Sequence, residues 1–197
     1  MIEWAVATRR LAGETESGDA HAVLEFDGGI LLAVVDGLGH GHDAAVASNR
    51  AVSILAEQPG DDLIGLFERC HEGLKRTRGA VMSLAAFHDR DSTVSWLGVG
   101  DVSAELVRHE PRVRQRDCLL LRGGIVGVRL PRLVEEVLPV LPGDTIVMVT
   151  DGIRSAFTES LDDLRPPQRA ADRILADFGR EHDDALALVA RYTGGIG

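Results

Sequence analysis

At 197 residues the chain is long enough to bury a large core as one domain, 1–197, without disulfides or structural zinc, and its two cysteines, Cys70 and Cys118, belong to no CxxC pattern. A net charge of −10 argues against general nucleic-acid binding, and no apolar run approaches the ~20 residues of a membrane span. Met1-Ile2-Glu3-Trp4 carries no export signal, so a reducing cytoplasm is the expected location, and the expected state is a monomer.

Taken in chain order, Glu3 to Arg9 reads as a first strand and Leu11 to Gly18 as a polar segment. Asp19-Ala20-His21 leads into a second strand, Ala22 to Phe26, and Asp27-Gly28-Gly29 turns it back into Ile30 to Val35. His42 to Gln58 is helical, with Ala45, Val46, Val52, Ile54 and Leu55 spaced for one buried face and Pro59-Gly60 as the stop. Asp61-Asp62 gives an acidic start to a second helix reaching about Lys75.

From Ala80 the pattern changes to strands. Val81 to His88 and Thr93 to Leu97 form a predicted hairpin, and Gly98-Val99-Gly100-Asp101 turns the chain into Ser103 to Arg108. Arg112-Val113-Arg114-Gln115-Arg116 reads as a solvated hairpin edge. Short strands are expected at Cys118 to Leu121 and Leu133 to Val140. Pro142-Gly143-Asp144 is a turn signal that sets Thr145 to Thr150 antiparallel to its predecessor. A helical stretch follows Asp151, Pro166-Pro167 opens a helix to about Phe178, and Ala185 to Tyr192 is the last strand. This order predicts an α+β fold: two stacked, mainly antiparallel sheets with helices on the outer faces.

Two apolar runs end on Asp-Gly. Leu31 to Val35 runs into Asp36-Gly37, and Ile146 to Thr150 runs into Asp151-Gly152. A third acidic site, His182-Asp183-Asp184, stands before the last strand. Asp-Gly is also a common turn dipeptide, and Asp27-Gly28 is expected to be only that. Two carboxylates ~4 Å apart repel by about 4 kcal/mol at an effective dielectric near 20, so strand ends that converge must be protonated or neutralised by a cation. All-oxygen ligands select hard divalent ions such as Mg²⁺ or Mn²⁺.

The ordered set of motifs resembles the metal-dependent type 2C protein serine/threonine phosphatases, in particular their bacterial branch of SpoIIE, RsbU and RsbX. Ser17-Gly18-Asp19-Ala20-His21 resembles the first acidic motif, and Asp36-Gly37-Leu38-Gly39-His40-Gly41 with Ala44-Ala45 resembles DGxGHG…A…A. Gly98 to Asp101, Gly123 to Gly127, Leu141-Pro142-Gly143-Asp144 with Val149-Thr150-Asp151-Gly152-Ile153, and Asp183-Asp184-Ala185 follow in the family's order. The resemblance implies an αββα sandwich and two bound Mn²⁺ or Mg²⁺ ions. Asp36 would bridge both ions, the Gly37 carbonyl would bind one, and Asp151 and Asp183 would complete the second site. Asp19 would hold a metal-bound water and Asp184 would stand outside the ligands.

His40 or His42 would protonate the leaving serine or threonine oxygen, or else stand solvated on the glycine turn. His21 and His182 are expected to be structural. The family's phosphate-binding arginine would sit where this chain has Glu14-Thr15-Glu16, leaving Arg9 or Arg10 as substitutes. The implied activity is hydrolysis of phosphoserine or phosphothreonine on a STAS-domain protein of the stressosome, as negative feedback of the RsbX type. Alternatives are an RsbU- or SpoIIE-like phosphatase of an anti-sigma-factor antagonist, a catalytically silent binding module of the same fold, and a small-molecule phosphoesterase on another scaffold. No P-loop motif is present to support the last.

Overall fold

The computed structural model describes residues 2–109 and 116–194, so Arg112, Val113, Arg114 and Gln115 of the expected basic hairpin edge lie outside the described residues. Among the described residues the strands are β1 (Ile2–Arg9), β2 (Asp19–Phe26), β3 (Gly29–Gly37), β4 (Ala80–His88), β5 (Thr93–Val99), β6 (Ser103–Val107), β7 (Arg116–Cys118), β8 (Glu136–Pro139), β9 (Thr145–Val149) and β10 (Ala185–Tyr192). The helices are α1 (His42–Glu57), α2 (Leu63–Leu74) and α3 (Pro167–Phe178), with a 3₁₀ turn at Ser155–Ser160 as the helical stretch after Asp151. The strands form two antiparallel five-stranded sheets, ordered β1-β10-β9-β6-β7 and β2-β3-β4-β5-β8. Among the described residues no helix is long and apolar enough to cross a membrane.

The predicted sandwich is the observed one, and its three apolar layers follow from strand alternation. Leu32, Val34, Trp96, Leu106, Met148 and Leu188 pack between the sheets. The opposite faces of β3 and β4, with Leu31, Ala33 and Leu84, meet α1 and α2. Val147, Val149 and Val189 on the outer face of the first sheet meet Ala170, Ala171 and Ile174 of α3. Because β3, β4, β9 and β10 are covered on both faces, they read in sequence as continuous apolar runs rather than alternating ones.

Three sequence expectations need correction. Val46 is exposed, not part of the buried helix face; α1 turns Ala44, Ala47 and Ala51 inward, and these small residues let the helix lie close on β3. The strand expected at Cys118 to Leu121 ends at Cys118. Thr145 to Thr150 does not pair with the preceding strand: β8 pairs with β5 in one sheet, whereas β9 lies between β10 and β6 in the other. The turn at Leu141 to Asp144 forms as expected, but it docks on β10. Gly143 N donates to the Tyr192 carbonyl at 2.7 Å, and Tyr192 N to the Asp144 carbonyl at 2.8 Å.

The antiparallel order gives the sandwich two unlike poles. The start of β2, the ends of β3, β5 and β9, the start of β10 and the start of α1 share one pole. The tight β2–β3 and β4–β5 turns, at residues 27–28 and 89–92, lie at the other, where Phe26, Gly28, Gly60, His88 and Arg90 line a common hollow.

Candidate active site

At the first pole an open cleft of about 380 Å³ is lined by Asp36, Asp101, Asp151, Asp183, His40 and His182, among others. Each acid is carried there by a strand end. Asp19 and Asp36 are direct partners across β2 and β3. Asp101 follows β5, Asp151 follows β9, and Asp183 precedes β10. The Asp-Gly glycines have a packing reason: a Cβ on Gly37 would collide with the Ala44 carbonyl of α1, and one on Gly152 with the Asp184 carbonyl. Only glycine lets the backbone turn out of the core this close to its neighbours.

Asp19 and Asp184 lie behind the cleft and are held differently. Thr150 Oγ1 donates to Asp19 Oδ2 at 2.7 Å while accepting from Leu186 N at 3.0 Å, so one hydroxyl ties the first acidic motif to the end of β9 and to β10. Asp184, buried, accepts from Leu11 N and Gly18 N, each at 2.8 Å. Its carboxylate therefore fastens both ends of the 11–18 loop to the mouth of β10.

The site is under electrostatic load. Burial, and then the charges of Asp19, Asp151, Asp101 and Asp183, push the Asp36 carboxyl up from 3.8 to about 9. Burial pushes Asp19 up to about 7, against the lowering effect of the Thr150 hydroxyl, and Asp184, Asp151 and Asp183 add to the rise. Asp151 is also raised, first by partial desolvation and then by Asp183 and Asp101, with Arg180 opposing. Like charges in a desolvated place disfavour ionisation, and a cation among them reverses the balance. As the side chains stand, no three His, Cys, Asp or Glu among the described residues close around one point, so an ion would draw the carboxylates inward. The donor set fits a hard divalent cation, because it is all oxygen.

The sequence reading left two ionisable lining residues out of the site, Asp101 and His182. Asp101 was legible in principle, because it follows β5 on a glycine, Gly100, where that strand leaves the core, although Ser95 and Gly98 interrupt the apolar run. His182, expected to be structural, lines the cleft beside Asp183. His21 does not line it; it packs against Trp4 with ring centroids 6.2 Å apart, and burial lowers its pKa. His40 lines the cleft, whereas His42 opens α1, exposed and paired with Glu16. Arg9 donates to the Arg180 carbonyl at 2.6 Å and Arg10 to the Thr15 carbonyl at 2.9 Å, and neither lines the cleft. Arg78 stands beside the cleft-lining Gly39, paired with Asp43 at 2.7 Å and so close that a Cβ on Gly39 would lie 2.9 Å from its Nη1.

A match to the protein family described as Stage II sporulation protein E (SpoIIE) runs over residues 27–193. Phosphoserine phosphatase RsbX of Bacillus subtilis (strain 168) is 27% identical over 99 residues, which make up 50% of this chain and 49% of RsbX, so the match spans about half the length of that curated relative. A chain of a solved structure described as "The bacterial stressosome: a modular system that has been adapted to control secondary messenger signaling" is 30% identical. It superposes with a TM-score of 0.89 over 97% of this chain and 100% of that one. The crystal structure of RsbX in complex with magnesium, 20% identical, shares the fold with a TM-score of 0.85 over 96% of this chain and 94% of the other.

Proposed function

This chain belongs to the SpoIIE family, and on that premise we propose that it is a metal-dependent phosphatase that hydrolyses phosphoserine or phosphothreonine on a regulatory protein. The observation that carries the reading is the convergence of Asp36, Asp101, Asp151 and Asp183 on one open cleft, with the Asp36 carboxyl pushed up to about 9 by burial and by its acidic neighbours. Such a cluster holds its strain until cations neutralise it. Asp36, the Gly37 carbonyl, Asp151 and Asp183 would hold Mn²⁺ or Mg²⁺, two ions in our reading, with Asp19 and Asp184 behind them. When bound, the ions would supply a water acidic enough to attack near neutral pH and positive charge against the phosphoryl oxygens. The chain's own residues do the rest. The sheet mouths fix the carboxylates, the Thr150 hydroxyl holds Asp19, and His40 stands in the cleft where a leaving serine or threonine oxygen needs a proton.

A shallow cleft at strand ends reads little of the sequence around a phosphate, so we assign specificity to the docking of a folded partner. Similarity to RsbX and to a stressosome chain supports a partner in stress signalling, and we take that partner to be a phosphorylated STAS-domain protein of the stressosome, dephosphorylated as negative feedback by a cytoplasmic monomer. The test is kcat/KM with Mn²⁺, with and without chelator, on an intact phosphorylated STAS domain and on a peptide cut from the same site. Chelator-sensitive turnover that is much faster on the intact protein is expected. Equal values on both substrates refute docking, and turnover indifferent to chelator refutes the metal mechanism.

A further inference from the structure

Two carboxylate–imidazole pairs join the loop after β1 to the turn that enters α1 and to the first residue of that helix. His40 Nδ1 lies 2.6 Å from Glu14 Oε1, and His42 Nδ1 lies 2.6 Å from Glu16 Oε2. The pairs are alike in geometry and unlike in place. His40 is in the cleft with Asp36, Asp101, Asp151 and Asp183; His42 is not. The Glu14 carboxylate reaches its histidine over Gly41, where a Cβ would stand 2.5 Å from Oε2. With Nδ1 engaged, Nε2 is the ring nitrogen left for the cleft.

We infer that Glu14 is the positioning residue for His40: by accepting from Nδ1–H it fixes the ring so that Nε2–H donates to the leaving seryl or threonyl oxygen. The inference rests on the phosphatase reading and adds to it a residue at the very place where the family resemblance expects an arginine. In the reaction, a P–O bond forms to the attacking water and the P–O bond to the side chain breaks. The electron pair of the broken bond stays on the leaving oxygen, which takes the proton from His40 Nε2. The attacking water gives up a proton to solvent, and His40 regains one from solvent. The carboxylate favours the neutral tautomer that remains after transfer, protonated at Nδ1 and bare at Nε2, which is how a second partner sets the role of each ring nitrogen.

Because a proton donor matters only for a poor leaving group, the decisive comparison is a phosphoserine peptide against p-nitrophenyl phosphate, with Mn²⁺. Glu14→Ala should lower kcat on the peptide about tenfold or more, a part of the ~10²–10⁴ general-acid range, with KM unchanged and nitrophenyl turnover within about twofold. His40→Ala should show the same split more strongly. Glu14→Gln, whose amide oxygen still accepts from Nδ1–H, should recover most of the loss. Glu16→Ala should match wild type on both esters.

Equal losses on the two esters, or a Glu16→Ala variant that behaves like Glu14→Ala, would mean that the pairs merely clasp the loop, and the inference is overturned. Ring ¹⁵N shifts of His40 above pH 8 give a reading that needs no turnover. The wild type should be protonated at Nδ1 and Glu14→Ala should shift toward Nε2–H; an unchanged ring overturns the inference. If the wild type hydrolyses neither ester, the phosphatase reading fails, while the tautomer still decides whether Glu14 positions His40.

Discussion

Replacing Asp36 with Asn should stabilise the protein in chelator while destroying its response to metal. The Asp36 carboxyl is pushed from 3.8 to about 9, chiefly by burial and then by Asp19 and the other acids. An acid raised on folding contributes stability that is fully present below its unfolded value and is lost as pH rises through its folded value. The loss therefore builds between about pH 4 and pH 9. At pH 8, holding that proton costs about 6 kcal/mol relative to an unfolded carboxyl.

Asn keeps the shape and cannot ionise. Solvent entering the cleft relieves part of the strain in the wild type, so we expect a gain of at least ~2 kcal/mol at pH 8, or about 4–8 °C in Tm for a chain of this length. The measurement is thermal unfolding of both proteins in chelator at pH 5, 6.5, 8 and 9.5, then with excess Mn²⁺. The Tm gap should widen with pH and level off above 9, and Mn²⁺ should raise only the wild type. A pH-independent gap, or an Asp36→Asn protein that melts below wild type at pH 8, would refute the reasoning.

Asp184→Ala strips the acceptor from Leu11 N and Gly18 N, and at ~1–3 kcal/mol for each stranded donor should cost about 3 kcal/mol in urea unfolding. Gly152→Ala drives a methyl into the Asp184 carbonyl and should abolish soluble, folded protein as judged by circular dichroism. Arg78→Ala removes the guanidinium beside Gly39. It should raise KM for a phosphoserine peptide several-fold at unchanged kcat, and a change in kcat alone would refute a binding role.

The sequence was most legible where a strand is buried on both faces and leaves the core through an acid. β3, β9 and β10 announce themselves as apolar runs, and their acids reach the same pole because antiparallel order leaves them no other place. Asp101 shares that construction but follows a strand broken by Ser95 and Gly98, which hides the run. His182 carried no signal of its own, since one residue's step beside Asp183 decides whether it faces the cleft. The β8–β9 error has a different cause. Pro142-Gly143-Asp144 dictates a reversal within four residues, but which strand a reversed segment pairs with depends on partners far along the chain. Here β10, whose paired residues lie 38 to 46 positions further along the chain, takes the place next to β9.

The two unlike poles divide the molecule's labour. Lengthening the turn at Asp27-Gly28 or grafting a tag at Arg90 touches only the quiet end, where the strands merely change direction. Any insertion between Leu38 and His42, or before Asp101, falls among the acids. A fluorophore or an affinity handle, or even new chain ends made by circular permutation, therefore belongs at the β2–β3 or β4–β5 tip, where it reports on the domain while leaving the acidic cleft open.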